Sequence, residues 1–555
     1  MNNSSRFCCA FASACLLVLA HAAPAIAQTV PDRLETALQG HVRFLADDLL
    51  EGRGIGQRGH EIAARYIASQ FATLGLIPVG DANGPDNWFQ RITFAERRFT
   101  SEQETLSFQP PSGPAQVWRN GETALLSPGN TEGAEDIAAP LVFAGFGLYD
   151  PSLGIDDFAG LDVEGKIVVV LTGAHPGLSS EVAAHLARVS KASRALELGA
   201  IGLVQVRTYV EQARAPFSKS AARARMPARG PLGPDGTPLG DGAGLKIRAT
   251  LDDGAAAALF AAAARPLVQL LDDARTAPVK GFDLPGTLTV ARAQSITTIT
   301  SPNVLGLLPG KGPRAGEVVL VSAHADHLGL KPGTKPGEDA IYNGAMDNAG
   351  GIATLIEAAR SLAAGPPPPR SVLFLATTAE ESGLLGADYW SRFPTLPLAQ
   401  IVGVLNIDMP ILTCNFSDII AFGAEHSTLI TPVTAAARAE KLIVSPDPQP
   451  EEAIFTRSDH YPMVRAGIPS VFLKTGDQDM FGGKACAETE RTFRLTHYHE
   501  VTDDLAQPFD WQAAAKFARL NTGIIRRLTS GPRPRWFEGD YFGNAFAPEA
   551  PKAKR

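Results

Sequence analysis

"RSVLFLATTAEESGLLGADYW", residues 370–390, decides how the chain is read. Its apolar run has the composition of a strand buried on both faces. An amphipathic helix pattern closes it. Between them stand two adjacent glutamates, Glu380 and Glu381. Adjacent carboxylates repel, and near a core each loses hydration. Either both face water, or a cation receives them. Successive residues at a strand end project to opposite sides. One glutamate can therefore hold a cation while the other faces the substrate.

Working outward, the same strand–loop–helix order recurs from about 301 to 530. "GEVVLVSAHADH" reads as a strand ending in His324. "AMDNAGGIATLIEAARSLAAG" reads as a loop carrying Asp347 and then a helix, stopped by "GPPPP". "IVGVLNIDM" is a strand ending in Asp408, and "AGIPSVFLKTG" is another. In open α/β sheets, sites form beyond the carboxyl ends of the strands. His324, Glu380/Glu381 and Asp408 sit at three such ends, and Asp347 opens the helix facing the same edge. Imidazoles mixed with carboxylates suit zinc. With a second histidine the set carries three negative charges. Two Zn²⁺ and a bridging hydroxide then bring it to neutrality. Paired zinc ions about 3.5–4 Å apart can activate one water and bind a tetrahedral intermediate.

The rest of the chain is less specific. Its 555 residues are enough for two or three domains. Hydrophobic residues make up 45% and charged residues 19%, which supports real cores. A net charge of −8 argues against a nucleic-acid partner. Residues 1–27 read as a signal peptide, with Arg6, an apolar stretch and "PAIAQ", so cleavage is expected near Ala27–Gln28. That predicts a periplasmic or secreted protein with no stable membrane span once the signal is removed. Cys8, Cys9 and Cys15 lie in that segment, leaving Cys414 and Cys486 able to pair. No CxxC offers a thiolate zinc site. Gly54, Gly56 and Gly59 match GxGxxG, but "LADDLLEGR" before them reads as helix, so a plain loop is expected. Residues 96–295 alternate short β-like runs with Gly/Pro loops and one helical pattern, "SSEVAAHLARVSKASRALELG". They read as an insertion between 28–95 and 296–530. The tail, 531–555, carries aromatics able to pack back, with loose last residues.

At this point the residues resemble a family: the zinc-dependent exopeptidases that include bacterial secreted aminopeptidases, aminopeptidase Y and glutamate carboxypeptidase. The matching pieces are "SAHADHLG", "NGAMDNAGGIATLIEAAR", "RSVLFLATTAEESGLLGADYW", "LNIDM", "RSDHYPMVRAGIP" and "HYHEVTDD", in the family's order. "LDVEGKIVVVLTG" with "KASRALELGAIGLVQV" resembles the protease-associated domain often inserted there. The resemblance implies an α/β fold: a mostly parallel mixed sheet sandwiched by helices, with a β-rich inserted domain. It implies two Zn²⁺ per chain. His324 and Asp408 would hold one, Glu381 and His499 the other, and Asp347 would bridge both. Glu380 would be general base and then acid. Asp326 would orient the His324 ring. The Asp347–Asn348 peptide would be cis, and Tyr498 would help hold the oxyanion. His460 and His497 compete for the last ligand position, which the resemblance gives to His499. His327 and His426 are expected to be surface or packing residues. One departure is "MPIL" after Asp408, where the family more often has a small or Gly-containing turn.

The implied activity is cleavage at the free N-terminus of peptides. A rival within the family is a carboxypeptidase, which needs a cationic clamp that Arg457, Arg465, Arg491 or Arg494 could supply. Another is a non-catalytic, receptor-like member, but such members lose ligands and this chain keeps all five. Neither GxSxG nor HExxH occurs, which argues against a serine hydrolase or a zincin.

Overall fold

The computed structural model describes residues 32–81, 84 and 87–555. The expected signal segment and its three cysteines lie outside the described residues. In chain order the elements used below are α1 (Arg33–Leu45), α2 (Arg58–Thr73), β1 (Phe89–Phe99), β2 (Gly133–Phe143), β3 (Ile167–Leu171), α3 (Ser180–Glu197), β4 (Gly202–Val206), β5 (Ile247–Leu251) and β6 (Phe282–Leu308). Then follow β7 (Val318–His324), α4 (Gly350–Ala363), β8 (Ser371–Thr377), α5 (Leu385–Arg392), β9 (Ile401–Ile407), β10 (Asp418–Phe422), β11 (Ser470–Thr475), α6 (Ala485–Thr496) and α7 (Trp511–Ser530).

The site is built on the order β6–β8–β7–β9–β11–β10. The four central strands run parallel and the two flanking pairings are antiparallel. This is the α/β, mostly parallel mixed sheet that the sequence predicts. Strands β7, β8 and β9 are buried along their whole length. Unbroken Val/Ile/Leu/Phe runs are needed because helices cover both faces. Helices α1, α4 and α7 pack on one face, with Phe374, Leu355 and Phe517 in the shared core. Trp390 of α5 and Met463 fill the other face. Emptying the space of one such ring, as in Phe374→Ala, costs about 3–5 kcal/mol.

A second set of parallel strands, β2–β3–β4–β5, has its own apolar clusters. Helix α3 packs its Val182, Leu186, Ala192 and Ala195 face into them. Short helices at Asp253–Leu259 and Leu267–Asp273 also contribute, which the expected alternation of strands and loops did not include. The two parts are joined by continuous sheet rather than by a linker. Strands β1 and β6 pair from Phe89–Val304 to Phe99–Gln294, across both expected boundaries at 95 and 295. In the tail, Trp536 and Phe542 pack with Phe455 and Tyr461. Contrary to the expectation of loose last residues, main-chain hydrogen bonds persist to Ala553, whose N–H donates to Trp536 (2.8 Å). Cys414 and Cys486 form a disulfide. Among the described residues, no helix is long and apolar enough to cross a membrane.

Candidate metal centre

Because β7, β8, β9 and β11 are parallel, their carboxyl ends share one edge. His324 is the last residue of β7, and Asp408 directly follows β9. Asp347 lies in the turn that enters α4, and the Asp347–Asn348 peptide is cis. His499 comes from the loop after α6. The five expected ligands meet here. His324 Nε2 lies 2.9 Å from Asp408 Oδ1 and 3.2 Å from Asp347 Oδ1. His499 Nε2 lies 3.4 Å from Asp347 Oδ2 and 3.0 Å from Glu381 Oε2. Asp347 thus turns one oxygen to each imidazole. Donor atoms around a tetrahedral ion with bonds near 2.0–2.1 Å stand about 3.3 Å apart. These spacings fit that arrangement twice over, sharing one carboxylate.

The electrostatics point the same way. Burial disfavours the charged form of His324, yet Asp408, Glu380 and Asp347 hold its imidazolium well above the ordinary histidine range. Burial likewise works against His499, but hydrogen bonds to Asp347 and Glu381 bring it up to about 10. Burial pushes the Glu380 carboxyl well up, and Asp408 and Glu381 add to this against the pull of His324. Four carboxylates crowd one buried edge and recruit protons onto both imidazoles. Divalent cations bound there would take the place of those protons.

The two glutamates diverge, but not by strand alternation. Strand β8 ends at Thr377, and Ala379 adopts a left-handed φ of 57°. Glu380 and Glu381 then lie in a turn whose N–H groups both donate to the Asp326 carboxylate, at 3.1 and 3.4 Å. Glu380 lines a small cavity with Asp347, Asp408 and Tyr498. Glu381 instead lies between His499 and His327. The His324 ring is held through the main-chain carbonyl of Asp326, 3.1 Å from Nδ1, while the Asp326 carboxylate is 4.0 Å away.

Of the competing histidines, His460 is buried between Phe455 and Phe472 with no hydrogen bond on either ring nitrogen. His497 bonds Thr502. The expectation for His327 as a surface or packing residue needs correcting. It is buried, its Nδ1 is 2.6 Å from Glu381 Oε1, and its Nε2 has no partner. With Asp347 and Glu381 it forms a further group of clustered donor atoms. His426 is engaged with Asp540 (2.6 Å) and Glu181 (2.9 Å), where α3 meets the main body.

Sequence reasoning missed three supports. Asp503 accepts the N–H groups of Met346 and Asp347 at 2.9 and 3.0 Å. A relay runs Ser322–Asn406–Ser458–Asp408, with links of 2.7, 2.7 and 2.5 Å. Arg53, fully buried, donates to the carbonyls of Ala325, Asn343 and Gly344 (2.9, 2.6 and 3.0 Å) and also to Leu45. It ties together the segments that carry His324 and Asp347. The glycine loop serves this placement. Gly52 has φ 67°, and a Cβ there would meet the Gly329 carbonyl oxygen at 2.4 Å.

Residues 303–525 match the sequence model of Peptidase family M28. A 99-residue stretch is 31% identical to aminopeptidase YwaD of Bacillus subtilis (strain 168), covering 18% of this chain and 19% of that relative. The chain therefore spans about a fifth of the curated relative it matches. An aminopeptidase from Aneurinibacillus sp. strain AM-1 superposes with TM-score 0.49 and 17% identity, over 90% of this chain and 94% of the other. BSAP, a zinc aminopeptidase from Bacillus subtilis, superposes with TM-score 0.41 and 19% identity, over 90% and 95%. All five clustered donors, His324, Asp347, Glu381, Asp408 and His499, fall within the residues that match the Peptidase family M28 model.

Proposed function

We propose that the chain is an exported aminopeptidase that uses two Zn²⁺. The observation that carries this is Asp347, placed between two imidazole–carboxylate sets, with Glu380 beside them and outside both. His324 and Asp408 would hold one ion, Glu381 and His499 the other, and Asp347 would serve both. Bound there, the ions supply Lewis-acid activation of a water and of the scissile carbonyl. Glu380 accepts the water's proton on its carboxylate and passes it to the leaving amine. Its buried, acid-crowded surroundings favour a proton-holding form, which suits the second half of that task. Tyr498 lines the same cavity and is the candidate donor to the developing oxyanion. Asp326 fixes the turn that separates base from ligand.

Residues 1–27 and the Cys414–Cys486 bridge favour a compartment outside the cytoplasm. We read 96–295 as an inserted protease-associated-like module; its separate apolar clusters support this. The activity test is cleavage of amino-acid p-nitroanilides with a free amine, abolished by chelator and restored by Zn²⁺. Cleavage only of N-blocked peptides from the C-terminus would replace this reading with a carboxypeptidase.

A further inference from the structure

The cavity over the centre is small, about 50 Å³, and its far wall is cationic. Asp347, Asp408 and Glu380 form one side. Met409, Ile454 and Phe472 supply apolar surface, and Arg457, Lys474 and Arg494 complete the lining. Of the arginines that could clamp a carboxylate, Arg465 lines a separate cleft against the inserted part, and Arg491 is exposed and paired with Glu488. Arg457 and Arg494 therefore remain at the centre, joined by a lysine.

Lys474 is the informative member. It lies on β11, where Val471 and Leu473 enter the core and Phe472 and Lys474 line the cavity. It is buried, yet no side chain among the described residues forms a hydrogen bond or ion pair with it. Arg457 is paired with Glu452 at 2.9 Å, and Arg494 donates to Glu490. Among the described residues, Lys474 is thus the one of these three cationic side chains that has no side-chain partner. A buried ammonium without an acceptor is costly, so the missing acceptor is expected to arrive with the ligand.

Resting on the aminopeptidase reading above, we infer that this subsite selects peptides whose N-terminal residue is aspartate or glutamate. The side-chain carboxylate reaches Lys474 between the two arginines, and its methylene stem rests on Met409, Ile454 and Phe472.

The test uses the zinc-loaded full chain and the p-nitroanilides of Asp, Asn, Glu, Gln, Ala and Leu. Each acid is compared with its isosteric amide. The expected result is a kcat/KM about 30-fold or more in favour of the acid. Lys474→Gln should bring that ratio close to one, whereas Lys474→Arg should keep it above one. Arg457→Gln, on the exposed rim, should lower the ratio in the same direction and does not disturb the core. Free L-aspartate should inhibit the unaltered enzyme more strongly than L-asparagine, a readout that needs no variant. An active enzyme that takes amides, alanine or leucine as well as acids would overturn this inference and leave the aminopeptidase reading intact. Failure on every free-amine substrate would overturn both.

Discussion

Glu380→Gln separates the proposed base from the proposed metal ligands. The Glu380 main chain is held by its N–H to Asp326 and its carbonyl from Gly383 and Leu384, none of which the substitution touches. Its carboxylate makes no hydrogen bond among the described residues and lies outside the two imidazole–carboxylate sets. The amide has the same shape and removes one charge from an acid-crowded pocket. Stability should therefore change by less than about 1 kcal/mol, and toward gain. Proton transfer by a positioned group contributes about 10²–10⁴-fold to rate. At 1.36 kcal/mol per decade this is about 2.7–5.4 kcal/mol of transition-state stabilisation. The assay is kcat and kcat/KM on a p-nitroanilide substrate, with zinc content and thermal midpoint measured on the same sample. The expected result is a kcat at least about 10²-fold lower while metal content and midpoint hold. Full activity would refute the assignment of Glu380. Loss of zinc in parallel with activity would make it a ligand instead.

Three further outcomes follow from particular contacts. His327→Ala leaves one oxygen of Glu381 without its 2.6 Å partner, so zinc affinity should fall about 10–100-fold in a chelator competition, with the fold retained by circular dichroism. Replacing both Cys414 and Cys486 by Ser opens a loop of separation 72, which should cost about 4 kcal/mol in denaturant unfolding. His426 is raised to about 10: burial opposes its charge, but Asp540 and Glu181 outweigh it. A folded-state value above the unfolded 6.5 means its contribution is complete below about pH 6.5 and is lost as pH rises through 10. The thermal midpoint should therefore drop between pH 7 and 10 by more than in His426→Gln.

The candidate ligand set was legible because most of its residues sit at strand ends. Apolar runs that stop at His324, Asp408 and the Glu380/Glu381 pair mark one sheet edge without any knowledge of packing. The supporting contacts carry no such local mark. Arg53 stands in a glycine loop, and three of its four acceptors come from two distant segments, at Ala325 and at Asn343–Gly344. His327 follows the same "HADH" as His324, but its meaning depends on Glu381, 54 residues away. The divergence of the two glutamates was expected for the wrong physical reason. A left-handed Ala379 and the Asp326 carboxylate set it, and neither belongs to the alternation of a strand. Lys474 did leave a signal: a lysine directly after the apolar "VFL" of its strand has few structural reasons to be buried there.

The proposed mechanism stands on Asp347 serving two divalent cations at once. The most direct measurement is zinc per chain, by elemental analysis of protein dialysed against limiting free metal, for the unaltered chain and Asp347→Asn. The expected result is close to two ions for the first and loss of both for the second. A content near zero, or an Asp347→Asn variant that still holds two, would contradict it.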